Sequence, residues 1–322
     1  MKTLILGATG FAGRSLVRRL RDSGHAIAGV ARSPSAERRL VELGVEVVRG
    51  DIADPKSLVP FLAGFEAVVF MVRTGLSQEF QSVHALLDAL EGTGKRFIFT
   101  SGSAVLNHRT DGDWHEASYA EDDDFSPFPL VEARYETEKL VRRAADRGIH
   151  TMIVRPPMIW GHGFQRMLTA LHATARSGAI CYLGRGLNVM SSIHVDDLAE
   201  IYALALEKGR AGALYNAVSG EQSWRAMAAE VARLRGLPLR SVTFVEARAL
   251  LGDVATQVVF SVSSRIRCPR TREELGWAPH PKRLDIFADL SHPAFMANTG
   301  ALNDDLEAQF RAQQSEVGHH GG

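Results

Sequence analysis

The 322-residue chain has little that would tie it to a disulfide framework, a membrane or a polyanion. It contains two cysteines, Cys181 and Cys268, with neither C-x-x-C spacing nor a companion histidine cluster, so reduced structural thiols are expected and no metal. Lys plus Arg and Asp plus Glu both number 37. With no excess of positive charge there is no field to favour nucleic acid or an anionic bilayer, and small molecules are the expected partners. No run approaches the length of a membrane span. The apolar stretch near the N-terminus, Leu4 to Leu6, is too short for a signal-peptide core, so the expected address is cytoplasmic.

What the chain does have is rhythm. The runs TLILG, AIAGVA, VEVV, AVVFMV, RFIFTS and TMIVRP alternate with segments of helical pattern. Continuous rather than alternating apolarity is what strands covered on both faces require, and the alternation predicts an α/β fold, a doubly wound parallel sheet of the Rossmann type. After Pro157 the rhythm loosens. The expected organisation is a dinucleotide-binding domain over 1–156, a smaller α/β substrate lobe over 157–285 interleaved with the end of the sheet, and an extension over 286–322. Within that extension, ALNDDLEAQFRAQQ has the pattern of a peripheral helix, and GHHGG is expected to be disordered.

The segment TLILGATGFAGRSLV places Gly7, Gly10 and Gly13 after an apolar strand and at the opening of a helix. Gly7 permits a tight turn, Gly10 lets backbone approach a pyrophosphate, and Gly13 lets helix and strand pack closely. The helix N-terminus offers free N–H groups to phosphate. Thr9, Phe11 and Ala12 complete this turn, and Met71, near the end of the fourth run, is counted with the same site. Arg32 stands at the end of the second run, where an acidic residue would accept from a ribose 2′-hydroxyl and a guanidinium suits a 2′-phosphate. NADP(H) is therefore expected over NAD(H). Asp51 and Ile52, after the third run, are placed to meet the adenine ring.

With GATGFAG, GDIAD, FIFTSGSAVLN, IVRPPMIWGHG, SSIHVDDLAEIYALAL, LYNAVSGEQSW and EELGWAP, the chain resembles the extended short-chain dehydrogenases, the NAD-dependent epimerase/dehydratase family, from Met1 to about Leu284. The resemblance implies that Arg155, Pro156 and Pro157 border the nicotinamide. It also implies a Tyr-x-x-x-Lys pair and a Ser or Thr as the catalytic group, and pairing of two copies as a homodimer through the helix that holds the tyrosine.

RYETEKLV offers Tyr135 and Lys139 at that spacing, but the register is against them. The family's glutamate, four residues beyond its lysine, aligns with Glu138, which puts Arg134 in the lysine slot and Leu130 in the tyrosine slot. At about 100° per residue, Leu130, Ala133, Thr137, Leu140, Val141, Ala144 and Ala145 form one stripe, with Tyr135 and Lys139 almost opposite. The pair is expected outside the site, with a family variant whose helix start is remodelled as the runner-up that would keep Tyr135 and Lys139. The hydroxyl slot falls on Gly102, between Ser101 and Ser103, so the candidate catalytic residues are Ser101, Ser103 and Arg134. A protonated arginine is a poor proton shuttle, and the family triad reads as degraded beside an intact cofactor loop. His162, Trp114 and His194 are candidates for the substrate pocket. For His194 the competing reading is a scaffold position, where a strand meets a helix capped by Asp196. Asp122 to Asp124, without histidine or spaced glutamate, make no convincing metal site.

The expected activity is hydride transfer between NADP(H) and a small carbonyl or alcohol. An epimerase or dehydratase cycle and a non-catalytic NADP(H) sensor are the alternatives.

Overall fold

The structure is a computed structural model that describes residues 1–165 and 168–297. The segments 301–314 and 318–322, for which a helix and disorder are expected, lie outside the described residues. Among the described residues no helix is long and apolar enough to cross a membrane.

The expected strands form. They are β1 (Lys2–Leu6), β2 (Ala26–Ala31), β3 (Glu46–Arg49), β4 (Ala67–Phe70), β5 (Arg96–Thr100) and β6 (His150–Arg155). A further strand, Ala213–Asn216, pairs with β6, and the seven lie in the order β3-β2-β1-β4-β5-β6 followed by Ala213–Asn216, every neighbouring pair parallel. The order reverses between β1 and β4. At that switch point the carboxyl ends of the strands open a crevice, the usual ligand site of such sheets.

Side chains alternate across β1, so each face of the sheet has its own core. Ile5 packs with Leu16, Val17 and Leu20 of α1 (Phe11–Asp22) and with Leu198, Ile201 and Tyr202. Leu4 and Leu6 pack with Val83, Leu86, Leu87 and Leu90 of α2 (Leu76–Leu90) and with Val141 and Ala144. Val141 belongs to α3 (Glu132–Arg143).

The remaining residues build a second core around Trp160, Leu171, Ile180, Trp224, Met227 and Phe260. It includes β7 (Met158–Gly161), β8 (Phe164–Gln165) and β9 (Val189–His194), which share a four-stranded sheet with Gly220–Ser223 in the order Gly220–Ser223, β9, β7, β8. From β9 the chain enters α4 (Val195–Lys208), which packs beside α1 and carries the chain back to the large sheet. The stretch from 286 also contributes to this core. Ile286, Leu290 and Phe295 are buried in the second core, from two helices of five and four residues that are too short to display a periodic stripe.

Candidate cofactor and active site

Gly7 has φ of +101°, and a Cβ there would lie 2.7 Å from the carbonyl oxygen of Met71. A Cβ on Gly13 would lie 2.1 Å from the Gly7 carbonyl oxygen. The Gly10 N–H donates to that same carbonyl at 2.9 Å. Gly10 is the N-cap of α1 with no side-chain cap, and the first helical turn holds no acidic residue. The cradle that glycine alone permits and the uncapped N–H groups both fit a pyrophosphate. Thr9 and Ala12 lie within this turn, and the Phe11 ring packs on Phe164 at 4.4 Å.

Arg32 is exposed at the end of β2, with no ion-pair partner among the described residues. Beside it Ser33 caps the following helix by accepting from the Ala36 N–H at 3.3 Å. The loop after β3 is fixed from within. The Asp51 carboxylate accepts from Ala53 N–H at 3.0 Å, and the Ile52 carbonyl accepts from the Ser82 hydroxyl at 2.7 Å.

The ends of β5 and β6 stay paired beyond the strands, Ser101 N–H donating to Val154 and Ser103 N–H to Pro156, each at 2.9 Å. Gly102 lies between them. A Cβ there would be 3.8 Å from both the Pro156 carbonyl oxygen and Nη1 of Arg134, so the slot at 134 faces the slot at 102. Both serine hydroxyls are engaged. Ser101 donates a short hydrogen bond to the Glu138 carboxylate, and Ser103 shares one with Ser264 at 2.9 Å.

Two ion pairs on buried carboxylates underlie this edge. Arg155 donates Nε at 3.0 Å and Nη2 at 2.5 Å to Glu138, both residues almost fully buried. The Arg155 guanidinium, 5.4 Å from the Phe125 ring, is thus turned to α3 and supports the β6 edge, from which Pro156 and Pro157 continue. Arg134 donates Nε at 3.0 Å and Nη2 at 2.7 Å to Glu79. Burial pushes the Glu79 carboxyl above its ordinary range, with Arg134 opposing.

The helical stripe holds in part. Thr137, Val141 and Ala144 are buried, whereas Leu130 is only half-buried and Ala133 exposed, because a turn over Pro129–Val131 precedes α3 and the helix begins only at Glu132. Tyr135 does not face open solvent as the wheel predicts. Its ring meets Phe125 edge-on at 4.9 Å, Lys139 lies 5.1 Å over it, and Lys139 pairs with Glu136 at 2.5 Å.

His162 is at the turn of the β7–β8 hairpin, with φ of +54°. Its Nε2 meets Asp196 Oδ2 at 3.0 Å, beside Arg18 at 3.7 Å and Arg283 at 4.0 Å from the same carboxylate. This puts it against α1 and α4. The cap of α4 is His194 and not Asp196, because the imidazole Nδ1 accepts the Asp196 N–H at 3.2 Å. Burial depresses the His194 pKa to about 4. The ligand atoms of His162, His194 and Asp196 lie within 4.8 Å of one another, a cluster the sequence reading did not anticipate. Two guanidiniums on its carboxylate and a backbone N–H on the His194 lone pair compete with a cation there. Trp114, 55% exposed, lies under the Arg265 guanidinium at 4.7 Å, on the outside of the loop that follows β5.

Glu79 and Asp196 were missed as site residues, and Glu138 served only as a register mark. A glutamate in a helical run reads as solvated, and nothing local announces a partner 55 residues away.

A doubly wound parallel sheet with a glycine turn at its switch point defines the dinucleotide-binding α/β class. The chain belongs to the NAD dependent epimerase/dehydratase family, whose family model matches residues 3–218. That family is one of nicotinamide-dependent enzymes, epimerases, dehydratases and reductases among them. Similar proteins include an uncharacterized protein of Saccharomyces cerevisiae, 28% identical over 90% of this chain and 98% of that one. Another is the 2-alkyl-3-oxoalkanoate reductase of Stenotrophomonas maltophilia, 31% identical over 66% of this chain and 67% of that one. Among solved structures, the dTDP-glucose 4,6-dehydratase DesIV of Streptomyces venezuelae with NAD and TYD bound matches with a TM-score of 0.71 at 20% identity, covering 95% of this chain and 97% of that one. At that identity the likeness is one of fold.

Proposed function

We propose that the chain is an NADP(H)-dependent reductase of small ketones, acting on a carbonyl in one direction and an alcohol in the other. The observation that carries the reading is the glycine turn, where Gly7 and Gly13 have no room for a Cβ and the α1 N-terminus is left without a side-chain cap. When bound, the nicotinamide supplies the hydride donor or acceptor. The protein's own share is orientation and electrostatics.

Support for the phosphorylated cofactor comes from Arg32, exposed and unpaired among the described residues at the end of β2. The reductase reading draws on the curated relative that reduces 2-alkyl-3-oxoalkanoates. Gly102 and Arg134 in place of a hydroxyl and a lysine leave that edge with N–H donors and no ready proton. The Ser101 hydroxyl is committed to Glu138, and His162 is held by Asp196 against α1 and α4. Water is then the proton source. Arg134 faces the oxygen of the substrate or of the ribose, and Ser101 and Ser103 hold the edge beside it through Glu138 and Ser264.

The test is oxidation of NADPH, followed at 340 nm, across a panel of 3-oxoalkanoates, simple ketones and nucleotide-sugar 4-ketones. Turnover of the first two supports the reading. Turnover confined to nucleotide sugars supports an epimerase or dehydratase lineage instead. Tight NADPH binding with no turnover of any of them would favour the sensor, for which the engaged serines are the supporting feature.

A further inference from the structure

Glu79 stands in the first turn of α2, 1% exposed, and both its oxygens take hydrogen bonds from Arg134, which is 22% exposed. A planar guanidinium gripped at Nε and Nη2 has its plane and rotation fixed, unlike a lysine ammonium on a free stem. The nitrogen left over is Nη1, which has no hydrogen-bond partner among the described residues. It is the nitrogen that lies beside Gly102, where a side chain is absent, at the carboxyl edge of β5.

The charge balance says what Nη1 suits. A buried carboxylate matched to one guanidinium is a neutral unit, so Nη1 offers an N–H without a net positive field. Such a donor fits a hydroxyl or carbonyl oxygen better than a phosphate or carboxylate. We propose that Glu79 is a positioning residue: by holding Nε and Nη2 of Arg134 it presents Nη1, beside Gly102, to a ribose hydroxyl on the nicotinamide half of the dinucleotide. This rests on the dinucleotide-binding reading above.

The experiment is calorimetric titration of wild type, Glu79→Gln and Arg134→Lys with the tighter of NADPH and NADH, and with the matching adenine half, 2′,5′-ADP or ADP. Losing one oriented hydrogen bond should weaken the whole dinucleotide by about tenfold in either variant. The adenine half should bind as in wild type, which a merely loosened fold would not allow. Combining the two changes should add little, since both break the same unit. Should Glu79→Gln fail to fold, Glu79→Gln with Arg134→Gln keeps a neutral pair without the fork and is expected to show the same selective loss. Wild-type affinity for the dinucleotide in these variants, or equal weakening of both ligands, overturns the proposal. If wild type binds the adenine half but gains nothing from the nicotinamide half, the proposal falls while the cofactor site stands. If it binds neither, the dinucleotide reading falls with it.

Discussion

Arg155 and Glu138 hold two opposite charges almost out of reach of water, with the Ser101 hydroxyl on the same carboxylate. Removing one partner strands the other, so Glu138→Leu should cost about 3–5 kcal/mol of stability, read from urea unfolding; a loss under about 1 kcal/mol would show the pair to be solvated. Among the described residues Tyr135 has Phe125 and Lys139 as ring partners, and Tyr135→Phe should leave turnover within a few-fold of wild type. A thousandfold loss would restore it as the proton donor. His172 and His194 are both depressed to about 4, burial being the larger cause. Unfolded histidine titrates near 6.5, so between about pH 6.5 and 4 the unfolded chain binds more protons than the folded one. Their contribution to stability is therefore complete above about pH 6.5 and falls as the pH drops toward 4. The urea midpoint should decline from pH 7 to pH 5 while NMR finds both rings still neutral at pH 5; rings already charged at pH 5 would contradict this.

At the scale of elements, the glycine loop was legible because its demands are local: a strand, a turn and a helix within a dozen residues. Gly13→Val places a side chain where even a Cβ would lie 2.1 Å from a carbonyl oxygen. Dinucleotide binding should be lost, and the β1–α1 packing weakened; a variant that still binds would remove the loop from the site. α3 was half legible. Period identified Thr137, Val141 and Ala144, but it could not foresee that the helix starts at Glu132 after a separate turn, nor that a charged residue, Glu138, belongs to its buried face. The stretch 242–247, VTFVEA, has β-rich letters but gives only Val242 to a strand, because Thr243 and Glu246 form a capping box that opens the helix Phe244–Leu251.

For the molecule as a whole, the doubly wound sheet was readable because strands covered on both faces must be apolar throughout. The second core was not, since it is assembled from short strands and helices far apart in sequence, such as Trp160, Trp224 and Phe295. The site divides the same way. Its cofactor half is written in one loop, whereas the edge at Gly102 depends on Glu79, Arg134, Glu138 and Arg155 meeting from two helices and a strand. The proposed preference for NADP(H) likewise rests on one residue in that larger frame, Arg32, exposed at the end of β2. Arg32→Asp should weaken NADPH and spare NADH, and unchanged affinities for both would take Arg32 out of the site. The most direct measurement of the central claim is a fluorescence titration of the purified wild-type protein with NADPH and, in parallel, NADH. The account predicts tight NADPH binding with NADH at least about tenfold weaker, a difference of about 1.4 kcal/mol; no binding of either would contradict it.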